Sequence, residues 1–278
     1  MNLLSAPIIA NNIFKKILKR IKNQIIEIKS PKEKRLKILC ESYKSVGLND
    51  DRDLHILKLN KILKSLGLNE YEEEYGMYSE HLVLFSAISS TSDIFKNILE
   101  IGTYDGKCTT ILASLFPDST INTIDLRDDE PVFISTYNRQ NEIDDFIKNR
   151  NDRLEKHSNI NFLQGNSLEL TFTKSLGYQN LIWVDGAHGY PYVPADITNC
   201  LRILSRRGIL MCDDVWKKVS NSDSMYKSIA TFETLSAYEN AKIIETTFFN
   251  KRIGKKYNYN YKNVSFSKLL DNFNSNLK

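Results

Sequence analysis

A glycine-containing loop follows the first strand predicted in the middle of the chain. Glu100, Gly102 and Gly106 fit the spacing Glu-x-Gly-x-x-x-Gly, and Tyr104 lies between the two glycines. Glycine lets a ligand approach the backbone closely, and the helix that follows presents free N–H groups at its start. Asp125 ends the next predicted strand about 20 residues later, the spacing at which a carboxylate binds both hydroxyls of a ribose. Together these residues predict a site for a nucleoside-containing cofactor.

Two later strands of the same region also end in carboxylates. Asp185 ends one predicted strand, and the adjacent Asp213 and Asp214 end the next. Because the carboxyl ends of parallel strands open into one crevice, these side chains are expected to converge although they are far apart in sequence.

These features resemble the cofactor-binding pattern of the class I S-adenosylmethionine (SAM) methyltransferases. The resemblance rests on the loop motif with Asp125, and on residues 181–188 and 208–215, which match the fourth and fifth strands of that superfamily. It extends over residues 78–249 and implies that SAM binds across the first two strand ends. Glu100, Gly102, Tyr104, Gly106, Asp125 and Asp185 are the cofactor-binding residues that it implies there.

Within the superfamily, the sequence most resembles the metal-dependent O-methyltransferases of the catechol and caffeoyl-CoA type and the related sugar O-methyltransferases. Tyr104 between the motif glycines and the acidic pair after the fifth strand are typical of that branch. The resemblance implies that Asp185, Asp213 and Asp214 bind Mg²⁺ or Mn²⁺. Oxygen ligands suit such a cation, which would lower the pKa of a bound acceptor hydroxyl. An alternative left open is that Asp213 and Asp214 only cap a helix.

His188 is the predicted general base, three residues after Asp185. Catechol-type relatives have a lysine at this offset, and the acidic base of the sugar enzymes is replaced by Ala187. An imidazole with a pKa near 6.5 is well suited to accept a proton at neutral pH. Asp185 and His188 are therefore the predicted catalytic residues, and a surface histidine without a role is the alternative.

The resemblance also implies roles for other positions. Asn166 and Ser167, after the third strand, lie where the family contacts the adenine, and the segment 79–81 lies where relatives line the cofactor pocket. Trp183 is predicted to be a core residue, and Trp216 to shape the acceptor pocket.

The elements that position these residues alternate between strands and helices, which predicts an α/β fold with a Rossmann-like, mostly parallel sheet. Strands are predicted at residues 97–102, 120–126, 160–164, 180–185 and 208–213, with a closing antiparallel pair at 242–249 and 252–259. Helices are predicted at 32–45 and 54–66. The expected domains are a helical N-terminal region (1–75), a methyltransferase domain (76–261) and a tail (262–278) that forms a short helix.

The N-terminal region is basic. Residues 12–29 form a predicted amphipathic helix, and residues 11–37 carry a net charge of +8 that leaves −4 on the rest of the chain. We expect the apolar side of this helix to pack on the body or on a second subunit, and weak association with a membrane surface is the alternative. The remainder has no excess of positive charge, so no nucleic-acid partner is predicted.

Composition indicates a cytoplasmic protein. The four cysteines are widely spaced with no CxxC pair, which favours reduced thiols. No apolar run is long enough to span a membrane, and the charges that follow residues 1–14 are on the wrong side for an export signal.

The sequence thus predicts a SAM-dependent, divalent-metal-assisted O-methyltransferase that acts on a hydroxyl of a sugar or glycan precursor. The choice of a sugar rests on analogy, because fold does not determine function. Two alternatives stay open: a metal-independent small-molecule methyltransferase that uses His188, and a non-catalytic SAM-binding or membrane-associated interaction protein.

Overall fold

A seven-stranded sheet forms the centre of the protein in the computed structural model, which describes residues 18, 21, 32–73, 80–136, 142–172, 176–219, 227–253 and 260–270. The strand order is β3-β2-β1-β4-β5-β7-β6; β1 to β5 run parallel, and β7 runs antiparallel to both of its neighbours. This confirms the predicted Rossmann-like α/β fold. The strands are β1 (Asn97–Ile101), β2 (Thr120–Asp125), β3 (Ile160–Gln164), β4 (Gln179–Val184), β5 (Leu204–Val215), β6 (Ile244–Ile253) and β7 (Asn260–Leu269).

Helices cover both faces of this sheet. They are α1 (Lys32–Ser45), α2 (Arg52–Ser65), α3 (Glu80–Ile88), α4 (Lys107–Leu115), α5 (Pro131–Ser135), α6 (Ile143–Leu154), α7 (Tyr192–Ile203) and α8 (Ala230–Asn240), with a 3₁₀ helix at Ser167–Phe172. The two helices predicted near the N-terminus are confirmed as α1 and α2. Asp51 accepts a hydrogen bond from the Leu54 N–H (3.0 Å) and starts α2, and Gly67 follows its end with φ +69°.

The core lies on both sides of the sheet because successive side chains of a strand point to opposite faces. In β4, Leu181 and Trp183 join the cluster under α1 to α4, whereas Ile182 and Val184 join the cluster under α7 and α8. Trp183 is fully buried, as predicted for a core residue.

The closing strands differ from the prediction. β6 continues to Ile253, so residues 252–253 belong to it, and its antiparallel partner is β7 rather than a strand at 252–259. The prediction of a short helix from residue 262 is wrong, because residues 260–269 form β7 between β5 and β6. The sheet therefore continues beyond residue 261, the predicted end of the domain. Ser265 and Ser267 are buried there: Ser265 Oγ accepts from the Cys212 N–H (3.0 Å), and Ser267 Oγ pairs with Thr246 Oγ1 (2.9 Å).

The basic amphipathic helix predicted at residues 12–29 lies outside the described residues apart from positions 18 and 21, so its partner stays a prediction. Within the described ranges, every helix is too short or too polar to cross a membrane.

A buried ion pair joins the N-terminal helices to the rest of the protein. The guanidinium of Arg52 donates to both oxygens of Glu80 (2.7–3.2 Å) and to Tyr71 OH (2.7 Å). Tyr43 OH donates to the same carboxylate (2.7 Å). The pair thereby connects α1, α2 and α3 in a place with little water.

We predict that Arg52→Met lowers the free energy of unfolding by about 3–5 kcal/mol, because Glu80 would stay buried without its counter-charge. Urea denaturation measures this loss. Lys44→Met is the matched control: it breaks the exposed Lys44–Asp50 pair (2.9 Å) and should change stability little. Equal effects of the two substitutions would contradict the structural importance of the buried pair.

Candidate active site

The loop after β1 packs directly against the end of β4. Gly102 has φ +99°, and a Cβ at this position would lie 2.4 Å from the carbonyl oxygen of Asp185, so only glycine fits. Tyr104 and Gly106 also have positive φ angles (+50° and +76°), which curl the loop into the start of α4. Asp185 N–H donates to Ile101 O (2.9 Å) and fixes the two strand ends to each other.

Asp125 holds this loop from the neighbouring strand. Its carboxylate accepts hydrogen bonds from the Tyr104 N–H and from the Leu126 N–H, both at 2.8 Å. The side chain at the predicted ribose position therefore also determines the shape of the loop.

Glu100 lies beneath the loop rather than on its surface. The side chain is fully buried, and its Oε2 accepts hydrogen bonds from the hydroxyls of Thr109 and Thr123 (2.7 Å for Thr123). Burial raises the pKa of Glu100 to about 7, against the opposing effect of these hydrogen bonds. Glu100 thus supports the turn from below and joins it to α4 and β2.

Asn166 and Ser167 begin the 3₁₀ helix after β3. The Gly165 N–H donates to Asp125 O (2.8 Å), which places the segment beside the loop after β1. Asn166 Oδ1 accepts from the Leu168 N–H (3.0 Å) and caps the 3₁₀ helix. Ser167 hydrogen-bonds to the buried Asp196 of α7, whose pKa burial raises to about 6.

Asp185 and His188 lie together after β4. His188 Nε2 is 3.6 Å from Asp185 Oδ1, and the imidazole is only 8% exposed. Burial lowers the pKa of His188, although the charges of Asp214 and Asp213 oppose this shift. Burial, followed by the charges of the same two residues, raises the pKa of Asp185 well above its usual range. The histidine is therefore neutral near pH 7 and able to accept a proton.

Asp213 and Asp214 are at the end of β5, and both are paired with lysines. Lys251 Nζ of β6 contacts Asp213 Oδ1 and lies 2.9 Å from Asp214 Oδ1, while Lys262 Nζ of β7 contacts Asp214 Oδ2. Although burial alone would raise it, the Lys251 ammonium holds the pKa of Asp213 well below its usual range. The helix cap left open by the sequence is not seen, since β5 continues to Val215.

The donor set does not fit the implied divalent metal. One oxygen of Asp213 and both oxygens of Asp214 already contact ammonium groups, so a cation would have to displace two lysines to reach them. Among the described residues, no three His, Cys, Asp or Glu side chains are grouped so as to hold a metal ion.

Glu80 and His81, the described residues of the segment 79–81 before the first strand, make structural contacts. Glu80 belongs to the ion pair with Arg52, and His81 stacks on Trp183 with ring centroids 4.8 Å apart. Burial lowers the pKa of His81 to about 4, which keeps this ring neutral.

Sequence reasoning missed Lys251 and Lys262. The sequence could have indicated the position of Lys251 through Phe249, because residues two apart in a strand share a face. Phe249 is fully buried and Lys251 is 2% exposed, so the pattern places a lysine on the buried side of β6.

One known family and several solved structures are similar to this chain. Residues 99–215 match a family described as a methyltransferase domain. Solved structures similar to this chain include the O-methyltransferase TomG from Streptomyces achromogenes with bound SAM (16% identity, 82% of this chain and 93% of that chain, TM-score 0.47). They also include an O-methyltransferase from Bacillus cereus with S-adenosylhomocysteine (16% identity, 77% and 91%, TM-score 0.49). A search of curated proteins gives no match.

The match over residues 99–215 and the strand order agree with the predicted methyltransferase domain. The loop after β1, with two glycines at positive φ and a carboxylate that orders it, is suited to SAM.

We predict that Asp125→Ala weakens binding of S-adenosylhomocysteine by about 1.5–3 kcal/mol, the scale for hydrogen bonds to a charged group. The expected loss combines the predicted ribose contact with the hydrogen bond that Asp125 accepts from the Tyr104 N–H. Isothermal titration calorimetry measures it. Asp129→Ala, which removes an exposed carboxylate paired with Arg127, is the control and should bind normally. Unchanged affinity in Asp125→Ala would rule out the proposed ribose position.

Proposed function

We propose that this protein transfers the methyl group of SAM to a hydroxyl oxygen of a small-molecule acceptor, with His188 as the general base. The observation that carries this proposal is the buried, neutral imidazole beside Asp185, whose backbone contacts the loop after β1. A proton acceptor thus lies next to the loop that suits the methyl donor.

The reaction needs one proton acceptor. The acceptor oxygen attacks the methyl carbon, the new C–O bond forms as the C–S bond breaks, and S-adenosylhomocysteine leaves. The hydroxyl proton passes to His188 Nε2, which becomes an imidazolium. Asp185 Oδ1 lies 3.6 Å from this nitrogen.

A sugar or glycan precursor remains the proposed acceptor. Its support is the polar pair Asp185 and His188 after β4, which offers hydrogen-bonding partners to an acceptor with several hydroxyls. Radiolabelled methyl transfer from SAM to a panel of sugar nucleotides, free sugars and catechols tests this choice. Transfer to catechols alone would reject the sugar and keep O-methylation.

We expect His188→Ala to lower kcat by about 10²–10⁴-fold, the usual contribution of general-base catalysis, while SAM affinity stays within about twofold. Turnover with the preferred acceptor and calorimetry with SAM measure the two effects. His157→Ala is the matched control because His157 is a partly exposed histidine that precedes β3, whereas His188 follows the carboxyl end of β4. Retention of normal kcat in His188→Ala would exclude this base.

The pH profile gives an independent check. A base must be unprotonated, so kcat should fall as the pH drops through the pKa of His188. Because burial lowers that pKa from 6.5, the acid limb should lie below pH 6.5 and should be absent from His188→Ala. An acid limb above pH 7 would contradict the assignment.

A further inference from the structure

The strongest unexplained feature is the pair of lysines on the two closing strands. Lys251 and Lys262 are directly opposite each other in the β6–β7 pairing, where two like charges destabilise a sheet. Asp214 lies between them: one of its oxygens is 2.9 Å from Lys251 Nζ, and the other contacts Lys262 Nζ. Lys251 also contacts Asp213. The carboxylates therefore make this arrangement of lysines stable.

The backbone is shaped to bring both carboxylates to these lysines. Between Cys212 and Val215, β5 advances by three residues while β7 advances by two, which marks a bulge at the acidic pair. Asp214 takes φ +51° within it. In a regular strand, two successive side chains would point to opposite faces, and the bulge instead lets both reach the same pair of strands.

The cluster has the charge balance of a metal site, but its positive charges belong to two lysines. Two ammonium groups carry the same total charge as one divalent cation, and they contact three of the four oxygens of Asp213 and Asp214. Lys251 is 2% exposed, so a cation that displaced it would leave its ammonium buried without a counter-charge. This cost is large for a buried charge.

We infer that Lys251 and Lys262 replace the divalent metal of metal-dependent O-methyltransferases and hold Asp213 and Asp214 in position, so that methyl transfer proceeds without a metal ion. The statement about methyl transfer rests on the proposed function. The statement that lysines, and not a metal, pair with the carboxylates does not depend on it. Lys251 and Lys262 are positioning residues that act through the acidic pair. Activation of the acceptor hydroxyl is then left to His188.

Metal binding tests the occupancy directly, without activity. Titration with Mn²⁺, followed by the electron paramagnetic resonance signal of the free ion, is carried out on the wild type and on the double variant Lys251→Ala/Lys262→Ala. We expect at least about tenfold tighter Mn²⁺ binding by the double variant, because its carboxylates are no longer paired. Lys268→Ala, on the same strand but away from the acidic pair, is the control and should match the wild type.

Loss of both lysines leaves three neighbouring carboxylates and endangers folding, so Lys262→Ala serves as a second variant. Its side chain is 17% exposed, and its removal frees Asp214 Oδ2 while Lys251 stays in place. We expect tighter Mn²⁺ binding than in the wild type here as well. Wild-type binding as tight as that of the variants would overturn the inference.

Measuring turnover in EDTA and in Mg²⁺ distinguishes a failure of this inference from a failure of the proposed function. We expect the wild type to methylate its acceptor at the same rate in EDTA and in Mg²⁺. Loss of turnover in EDTA that Mg²⁺ restores would overturn the role of the lysines and leave O-methylation standing. Absence of transfer to every acceptor under both conditions would refute the proposed function, while the Mn²⁺ comparison would still decide how the carboxylates are held.

Discussion

Charge buried at the carboxyl edge of the sheet has to be balanced by the protein itself, and the pairing of Asp213 and Asp214 with Lys251 and Lys262 supplies that balance. The pairing joins β5, β6 and β7, which are also connected through backbone hydrogen bonds and the hydrogen bonds of Ser265 and Ser267. It also sets the electrostatics of the crevice, because these carboxylates influence the pKa of both Asp185 and His188. The closing strands are therefore part of the site as well as part of the sheet.

The sequence predicts the parallel half of the fold well because its strands are short apolar runs that end in carboxylates or lead into a glycine loop. β3 has the predicted bounds, β1 and β2 end one residue earlier than predicted, and β4 is shifted by one residue at both ends. The strands β1, β2 and β4 are buried on both faces, so their apolar residues identify them, whereas β3 lies at the edge of the sheet and is only partly buried.

The closing strands are harder to predict because their buried positions hold polar side chains. Residues 262–269 are rich in Lys, Asn and Ser, yet Ser265 and Ser267 are buried and make hydrogen bonds to Cys212 and Thr246. Such bonds depend on the register between strands, which no local pattern contains. The same reason explains the missed lysines. The negative side chains of the site follow motifs within one segment, whereas Lys251 reaches Asp213 from a distance of 38 residues along the chain.

The close packing of Gly102 against the carbonyl of Asp185 has a consequence for how such a protein changes over evolution. The loop that suits the methyl donor and the residue beside the base are joined through main-chain atoms at the ends of β1 and β4. Their separation therefore does not depend on the side chains that surround the acceptor. If His188 is the base as proposed, substitutions in the acceptor pocket can alter substrate preference without changing the distance from this loop to the base.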